Sequence, residues 1–496
     1  MTFRRTVSLA AASALLAVPV IEGVLATSAS ASASRQASTT SSRPDGFGAE
    51  STRLSRGLAA AVRTAGFNDL VDFSESVAGV APSAYALPNV DVAVLELGSR
   101  GRVRGAANVL YDRDSPYGYR VKINERTLAA QGVEFSEWNG ERWDSQAAWD
   151  AGPATDEVLV DPKVATKEYM LAYPASVLKL MVGYSILRLV DAGELRLRQS
   201  ITYHDRNGET CGYGPSNPTG QEPPPEADGA RDTLRSWMDQ MITVSDNFAT
   251  CVLLQELYDQ DGLGAANRHF RSIGLDTLRM HPSVPEVGSG WSSGQMTMGA
   301  LDTTRLLLIV NGSPGKLWRV HGKSVVADRM LSERAQRVFQ RILGEQSFNE
   351  VLNPVNLCGS SDAAPGIPST VPSRWVDPDT GHVVTYDGDL VLDFGYDVRP
   401  CDEDAEVDFL HKTGLVTFAG SDAGIVRALP GQDGRWYLVA VFSNAGYRFG
   451  DPDWAGSDPN ACEGAPYVCY SRAYGRLGAA VDALVKARPF AGTSPK

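Results

Sequence analysis

The chain has little that would take it to nucleic acid, to a metal or into a bilayer. Its formal net charge is -13, from 46 Lys and Arg against 59 Asp and Glu. No nucleic-acid or anionic-membrane partner is therefore expected. No run beyond the N-terminus is apolar enough to span hydrocarbon. No repeat of fixed period is present, which sets aside solenoids and propellers. No two cysteines form C-x-x-C, so neither a zinc ribbon nor a thioredoxin-like pair is expected. His204, His269, His281, His321, His382 and His411 show no H-E-x-x-H or other tight ligand spacing. No metal and no other cofactor is expected. Asp377-Pro-Asp-Thr-Gly381 has the acidic spacing of a calcium loop but not its full ligand set, and reads better as a turn.

What is present begins at the N-terminus. Arg4 and Arg5 precede an Ala-rich apolar stretch from Val7 to Leu25, and Ser28 to Ala33 offers A-x-A cleavage sites. This reads as a secretory signal peptide over 1–33. The paired arginines leave the twin-arginine route open beside the general one. A secreted, extracellular chain is expected. The six cysteines, an even count, fit that compartment. Nearest-neighbour pairing would give Cys211–Cys251, Cys358–Cys401 and Cys462–Cys469, with other connectivities and free thiols as alternatives. Residues 34–56, rich in Ser, Thr, Gly and Arg, read as a disordered spacer. At 43% hydrophobic and 21% charged residues, the remainder has ample material for a core.

Residues 57–490 read as one domain. Leu58 to Thr64 predicts a helix. Asp91 to Leu97 alternates and predicts a strand, with Arg104 to Tyr111 its hairpin partner. Residues 117–164 lack a clear period and read as an insertion. A helix begins near Ser176. Further helices are expected over Leu234 to Met241, Phe248 to Leu257, Ala266 to Ile273, Met298 to Val310 and Glu333 to Leu343. A second insertion spans about 345–405. Strands follow at Val407 to Phe418, Asp422 to Leu429 and Trp436 to Phe442, then a helix from Ser471 to Ala487. The order predicts an α/β (α+β) sandwich in which terminal helices cover one sheet.

Three short motifs carry the chemistry. In Ser176-Val-Leu-Lys179 a serine sits three residues before a lysine, so the two share a helix face. Pro174 fits the first turn, and Ser176 would lie near the positive end of the dipole. A serine hydroxyl needs a base to become a nucleophile. Lys179 could serve if its pKa is lowered, which Leu178, Leu180 and Met181 favour. Ser245-Asp246-Asn247 sits in a break between two helices, and Lys412-Thr413-Gly414 on a strand. S-x-x-K, S-D-N and K-T-G in that order form a known signature. Taken singly, Ser245 could be a helix cap and Lys412 and Thr413 an edge-strand pair. A competing G-x-S-x-G, Gly290 to Gly294, follows a proline-containing stretch unsuited to a central strand and reads as a loop.

With all three motifs in place, the chain resembles the class A β-lactamase-like serine hydrolases. Ser245 to Leu257, Arg271 to Gly274, Met296 to Arg305, His411 to Gly414 and Ser421 to Val426 are similar to segments of that family. The resemblance covers most of Leu58 to Arg488 outside the two insertions. It implies a β-lactamase/transpeptidase-like fold, an antiparallel sheet flanked by terminal helices plus an all-helical subdomain. It implies a Ser176 acyl-enzyme, with Lys179 as proton acceptor and Ser245 passing a proton to the leaving nitrogen. Asn247 would hold the substrate amide, and Lys412 and Thr413 its carboxylate. Gly414 belongs to the same binding strand. The N–H groups of Ser176 and Leu415 would form the oxyanion hole, each worth about 3–4 kcal/mol. The expected partner is a β-lactam or a cell-wall peptide, bound by a monomer. A binding protein without activity is the alternative from another class.

Two departures bear on turnover. The family deacylates with an omega-loop glutamate in an E-x-x-x-N-like setting. Glu286 is the only glutamate between Gly274 and Thr297, and no asparagine follows it. It is the candidate for that role, against an exposed loop carboxylate, and deacylation is expected to be slow if it does not hold the water. No arginine opens the strand after K-T-G; Arg427 lies further along.

Overall fold

The computed structural model describes residues 47–72, 88–144, 146–152, 157–204, 228–282, 291, 294–360, 364–387, 390–450 and 469–488. Helix α1, Phe47–Ala65, starts inside the stretch read as a spacer, which corrects that reading for residues 47–56. Leu54, Leu58, Ala61, Val62 and Ala65 form a buried stripe at helical spacing. The first turns show no such stripe. Buried Glu50 anchors them instead, paired with Arg488 at the far end of the chain.

Six strands form the central sheet: β1 (Val90–Leu97), β2 (Val103–Tyr111), β3 (Tyr119–Arg120), β4 (Val407–Val416), β5 (Ala419–Ala428) and β6 (Trp436–Ser443). Their spatial order is β4-β5-β6-β1-β2-β3, with every neighbouring pair antiparallel. β1 is buried along its length because both faces are covered. Val90, Val92 and Val94 join the core made with α1 and with the last helix, α8 (Tyr470–Lys486). Ala93 and Leu95 join the opposite core. That second core is helical: α2 (Lys179–Ala192), α3 (Leu234–Thr243), α4 (Asn247–Asp259), α5 (Gly262–Ser272), α6 (Ala300–Val310) and α7 (Glu333–Leu343). The result is the expected layering, terminal helices on one face and a helical subdomain on the other. No helix among the described residues is long and apolar enough to cross a membrane.

The insertions have their own order. In the first, Val133–Ser136 pairs with Val158–Val160 and, in parallel, with Lys167–Met170. Trp143 is buried between Trp138 and Trp149, and the Arg113 guanidinium lies 4.6 Å from its ring centre. In the second, His382–Asp387 and Leu390–Asp397 form a hairpin. The Asp377 to Gly381 segment is a turn, its Asp377 carboxylate accepting from Asp379 N, Thr380 N and Thr380 Oγ1. Cys358 and Cys401 form a disulfide, as nearest pairing expected. Cys251 and Cys469 are also disulfide-bonded, with partners outside the described residues.

The disulfide closes a separation of 43 residues. Cys358→Ser with Cys401→Ser is expected to lower unfolding free energy by about 4 kcal/mol on the chain-entropy relation. A urea titration reads this directly, and an unchanged midpoint would show that the insertion unfolds apart from the rest.

Candidate active site

Ser176 stands in a single 3-10 turn, Ala175–Leu178, and Lys179 opens α2 directly after it. Ala175, Val177 and Leu178 of the turn are buried, Ser176 is partly exposed, and Lys179 is fully enclosed. Ala175 has φ 44° and Ser245 φ 59°, a left-handed backbone that non-glycine residues rarely hold. Both strained residues border the same spot. Lys179 Nζ lies 3.0 Å from Ser176 Oγ, 3.0 Å from Ser245 Oγ, 2.8 Å from Asn247 Oδ1 and 2.5 Å from the Ser245 carbonyl. The Ser245 carbonyl and Asn247 Oδ1 can only accept. They take two of the Nζ hydrogens, and the remaining position of Nζ faces the two hydroxyls.

The S-D-N segment is placed by helix capping, though by a different residue from the one singled out in sequence. Asp246, not Ser245, caps α4, its Oδ1 accepting from Ala249 N at 2.6 Å. Ser245 is thereby left free of the capping role and projects at Lys179.

Lys412, Thr413 and Gly414 lie on β4, the edge of the sheet, yet all three side-chain positions are buried. Lys412 Nζ donates to its neighbour's carbonyl, Thr413 O, at 2.8 Å. Burial drives the Lys412 amine well below the ordinary lysine range, and Lys179 pushes the same way, while Asp422 and Glu350 oppose. At the start of β4, Val407 N donates away from the sheet to Pro368 O at 3.1 Å. Pairing with β5 then runs without a shift from Val407 to Val416. Strand alternation therefore turns the N–H of Thr413 and Leu415 to the same free edge.

That edge meets the serine turn. A Cβ built on Gly414 would stand 2.7 Å from Ser176 N and 2.9 Å from Val177 N, a closeness only glycine allows. Ser421 Oγ ties the two elements, donating to Pro174 O at 2.6 Å with Gly414 O at 3.1 Å. Ser421 was not singled out from sequence as a tie; its position opposite Gly414 in the pairing is the signal. The Tyr173 and Phe418 rings pack 5.8 Å apart between the strand leading into the turn and the tip after β4.

The other candidates sort as follows. Arg427 points away from Lys412: it donates to Asn311 Oδ1 at 2.7 Å and stacks on Trp436. Glu286, Gly290 and Ser292 lie outside the described residues. The neck around them is described. Arg279 and Met280 pair with Thr297 and Met296, and Asp302 accepts from Thr277 N, Thr277 Oγ1 and Arg305 Nη1 at 2.6–3.0 Å.

No curated protein matches the chain. Among solved structures it is similar to a class A beta-lactamase from Bacteroides cellulosilyticus DSM 14838, at 14% identity over 88% of this chain and 99% of that one, with a TM-score of 0.43. A beta-lactamase from Sphaerobacter thermophilus DSM 20745 is similar at 15% identity over 88% and 98%, with a TM-score of 0.38. A structure of PBP-A is similar at 17% identity over 63% and 81%, with a TM-score of 0.37. The model of the beta-lactamase enzyme family matches residues 160–364, which hold the Ser176–Lys179 and Ser245–Asn247 motifs. Over that segment, which carries two of the three motifs, the chain is similar to the beta-lactamase enzyme family.

Proposed function

We propose that the chain is an exported serine acyl-hydrolase that forms an acyl-enzyme on Ser176 and acts on β-lactam amide bonds in the manner of a class A β-lactamase. The observation that carries this reading is Lys179 Nζ held at 3.0 Å from both Ser176 Oγ and Ser245 Oγ. Lys179 takes the Ser176 proton as Oγ attacks the acyl carbonyl. The N–H groups of Ser176 and Leu415 receive the developing oxyanion. Ser245 returns a proton to the leaving nitrogen. Asn247 holds the substrate amide, and Lys412 with Thr413 its carboxylate. A signal over 1–33 would export the chain, which suits its disulfides.

A second reading, a D-alanyl peptidase or related amidase on cell-wall peptides, uses the same acylation machinery. It is favoured by the segment from Gly274 to Thr297, where Glu286 is the only glutamate and no asparagine follows it in the E-x-x-x-N-like setting that deacylation uses. Intact-protein mass spectrometry after mixing with a fluorescent penicillin tests both. A Ser176 adduct that clears with nitrocefin turnover supports the β-lactamase. A Ser176 adduct that persists supports the peptidase, and no adduct rejects a penicillin-reactive serine.

A further inference from the structure

Behind the K-T-G strand lies a buried polar cluster that the acylation steps do not use. His411 is 1% exposed, and Asp422, on the neighbouring strand β5, is fully enclosed. His411 Nδ1 lies 2.8 Å from Asp422 Oδ1, and Nε2 lies 2.9 Å from Asn349 Oδ1. Asp422 Oδ2 also accepts the Leu352 N–H at 3.1 Å. Across the pairing from His411 stands Gly424; a Cβ there would fall 2.4 Å from His411 Cβ, so the missing side chain makes the room. Phe409 covers the imidazole face at 4.0 Å between ring centres.

The partners fix the protons. Asn349 spends its amide nitrogen on the Gln346 and Ser347 carbonyls at 3.2 and 3.4 Å, so the atom facing His411 is an acceptor. His411 Nε2 must then carry hydrogen. A carboxylate at Nδ1 asks the same of the other nitrogen. Both ring nitrogens donate, and the ring is an imidazolium paired with the Asp422 carboxylate.

The cluster joins two things. Asn349 and Leu352 belong to the segment that leaves α7 and opens the second insertion. Upstream, Ser347 N and Oγ both donate to Thr243 O, two residues before Ser245, at 2.9 and 2.7 Å. Downstream the segment crosses the edge of β4 to reach Asp422. We infer that His411 and Asp422 are positioning residues: their ion pair is a clasp that buckles segment 346–353 across the edge strand and sets Lys412 and Thr413 against Ser245. The charged groups around it are Asp422 from β5, Glu350 from the crossing segment, Lys412 from β4 itself and Lys179 beyond Lys412.

The positioning role rests on the proposed acyl-enzyme function; the ion pair does not. Nitrogen-detected NMR of the ring in the full chain at neutral pH should show two N–H protons on His411. A single ring N–H would overturn the clasp. Asp422→Asn should lower the second-order rate of Ser176 acylation by a fluorescent penicillin about tenfold, as expected when a buried donor loses its acceptor. Asn349→Ala, which removes the Nε2 acceptor together with the amide's bonds to the Gln346 and Ser347 carbonyls, should act in the same direction. The loss should fall on apparent affinity more than on the maximal rate, should change the pH profile of acylation, and should be partly rescued by Asp422→Glu. Acylation by Asp422→Asn and Asn349→Ala at the unmodified rate and with its pH profile would overturn the positioning role. Absence of any adduct on the unmodified chain would overturn the functional reading and the positioning role with it, while the ring protons still report on the ion pair.

Discussion

Lys179→Met should slow acylation of Ser176 by roughly 10²–10⁴-fold, the range that a positioned general base contributes. Methionine matches the length of the lysine in a site with no exposure, so the packing around α2 is kept. What it removes is the amine facing Ser176 Oγ and Ser245 Oγ. It also strips the Ser245 carbonyl and Asn247 Oδ1 of their donor. Ser245 is only partly buried and Asn247 is exposed, so water can replace the lost donor and a small fall in melting temperature is expected beside the kinetic loss. Ser176→Ala is the companion: it should give no covalent adduct while melting close to the unmodified chain. Stopped-flow fluorescence with a labelled penicillin gives the rate, and intact mass gives the adduct. Acylation of the methionine variant at the normal rate would place the base elsewhere.

Gly414→Ala should be nearly as damaging without touching any titrating group. The added methyl would meet Ser421 Oγ at 2.5 Å, Ser176 N at 2.7 Å and Val177 N at 2.9 Å. The first is the tip of a side chain and can swing away. The other two are backbone, packed in a buried turn, and cannot. β4 and the serine turn must therefore separate, which draws apart the N–H groups of Ser176 and Leu415 proposed to receive the oxyanion. Loss of such a donor costs roughly 10²–10³-fold in rate. Overpacking adds a stability penalty of about 1–3 kcal/mol. A variant that acylates normally would show that the oxyanion is held by other groups.

Much of this fold was legible because its elements are strongly patterned. β6 and α7 fall close to where alternation and helical spacing predicted them. Where prediction slipped, another force was at work. α1 includes residues 47–56, read as a spacer, and there Glu50 meets Arg488, a contact far along the chain that no local window reveals. The turn after β4 was read as strand because Thr417 and Phe418 are both good strand formers, and the tight return to Ala419 is set by pairing rather than composition. In the site, sequence order named Ser176, Lys179, Ser245 and Lys412, and the structure brings the first three within hydrogen-bond reach. Sequence could not give the cap at Asp246, the Ser421 tie or the His411–Asp422 pair. Each depends on register across strands or on which of two adjacent polar residues turns inward.

The Cys358–Cys401 link gives the molecule a sense of timing. It bridges the segment that leaves α7 to the helix just ahead of β4, the strand that carries Lys412. In a compartment where thiols stay reduced, that bridge stays open, and the insertion is held by its small core of Val355, Leu357, Val371, Val383, Phe394 and Val398 and by polar contacts such as Trp375 Nε1 to Glu345 O and Arg374 to Asp239. Oxidation then closes the loop from Cys358 to Cys401, which ends just ahead of β4. A chain still in a reducing environment would carry every catalytic side chain and yet have a loosely seated Lys412. Assembly of the proposed site is then expected to follow the redox state around the chain, through a bond well away from Ser176.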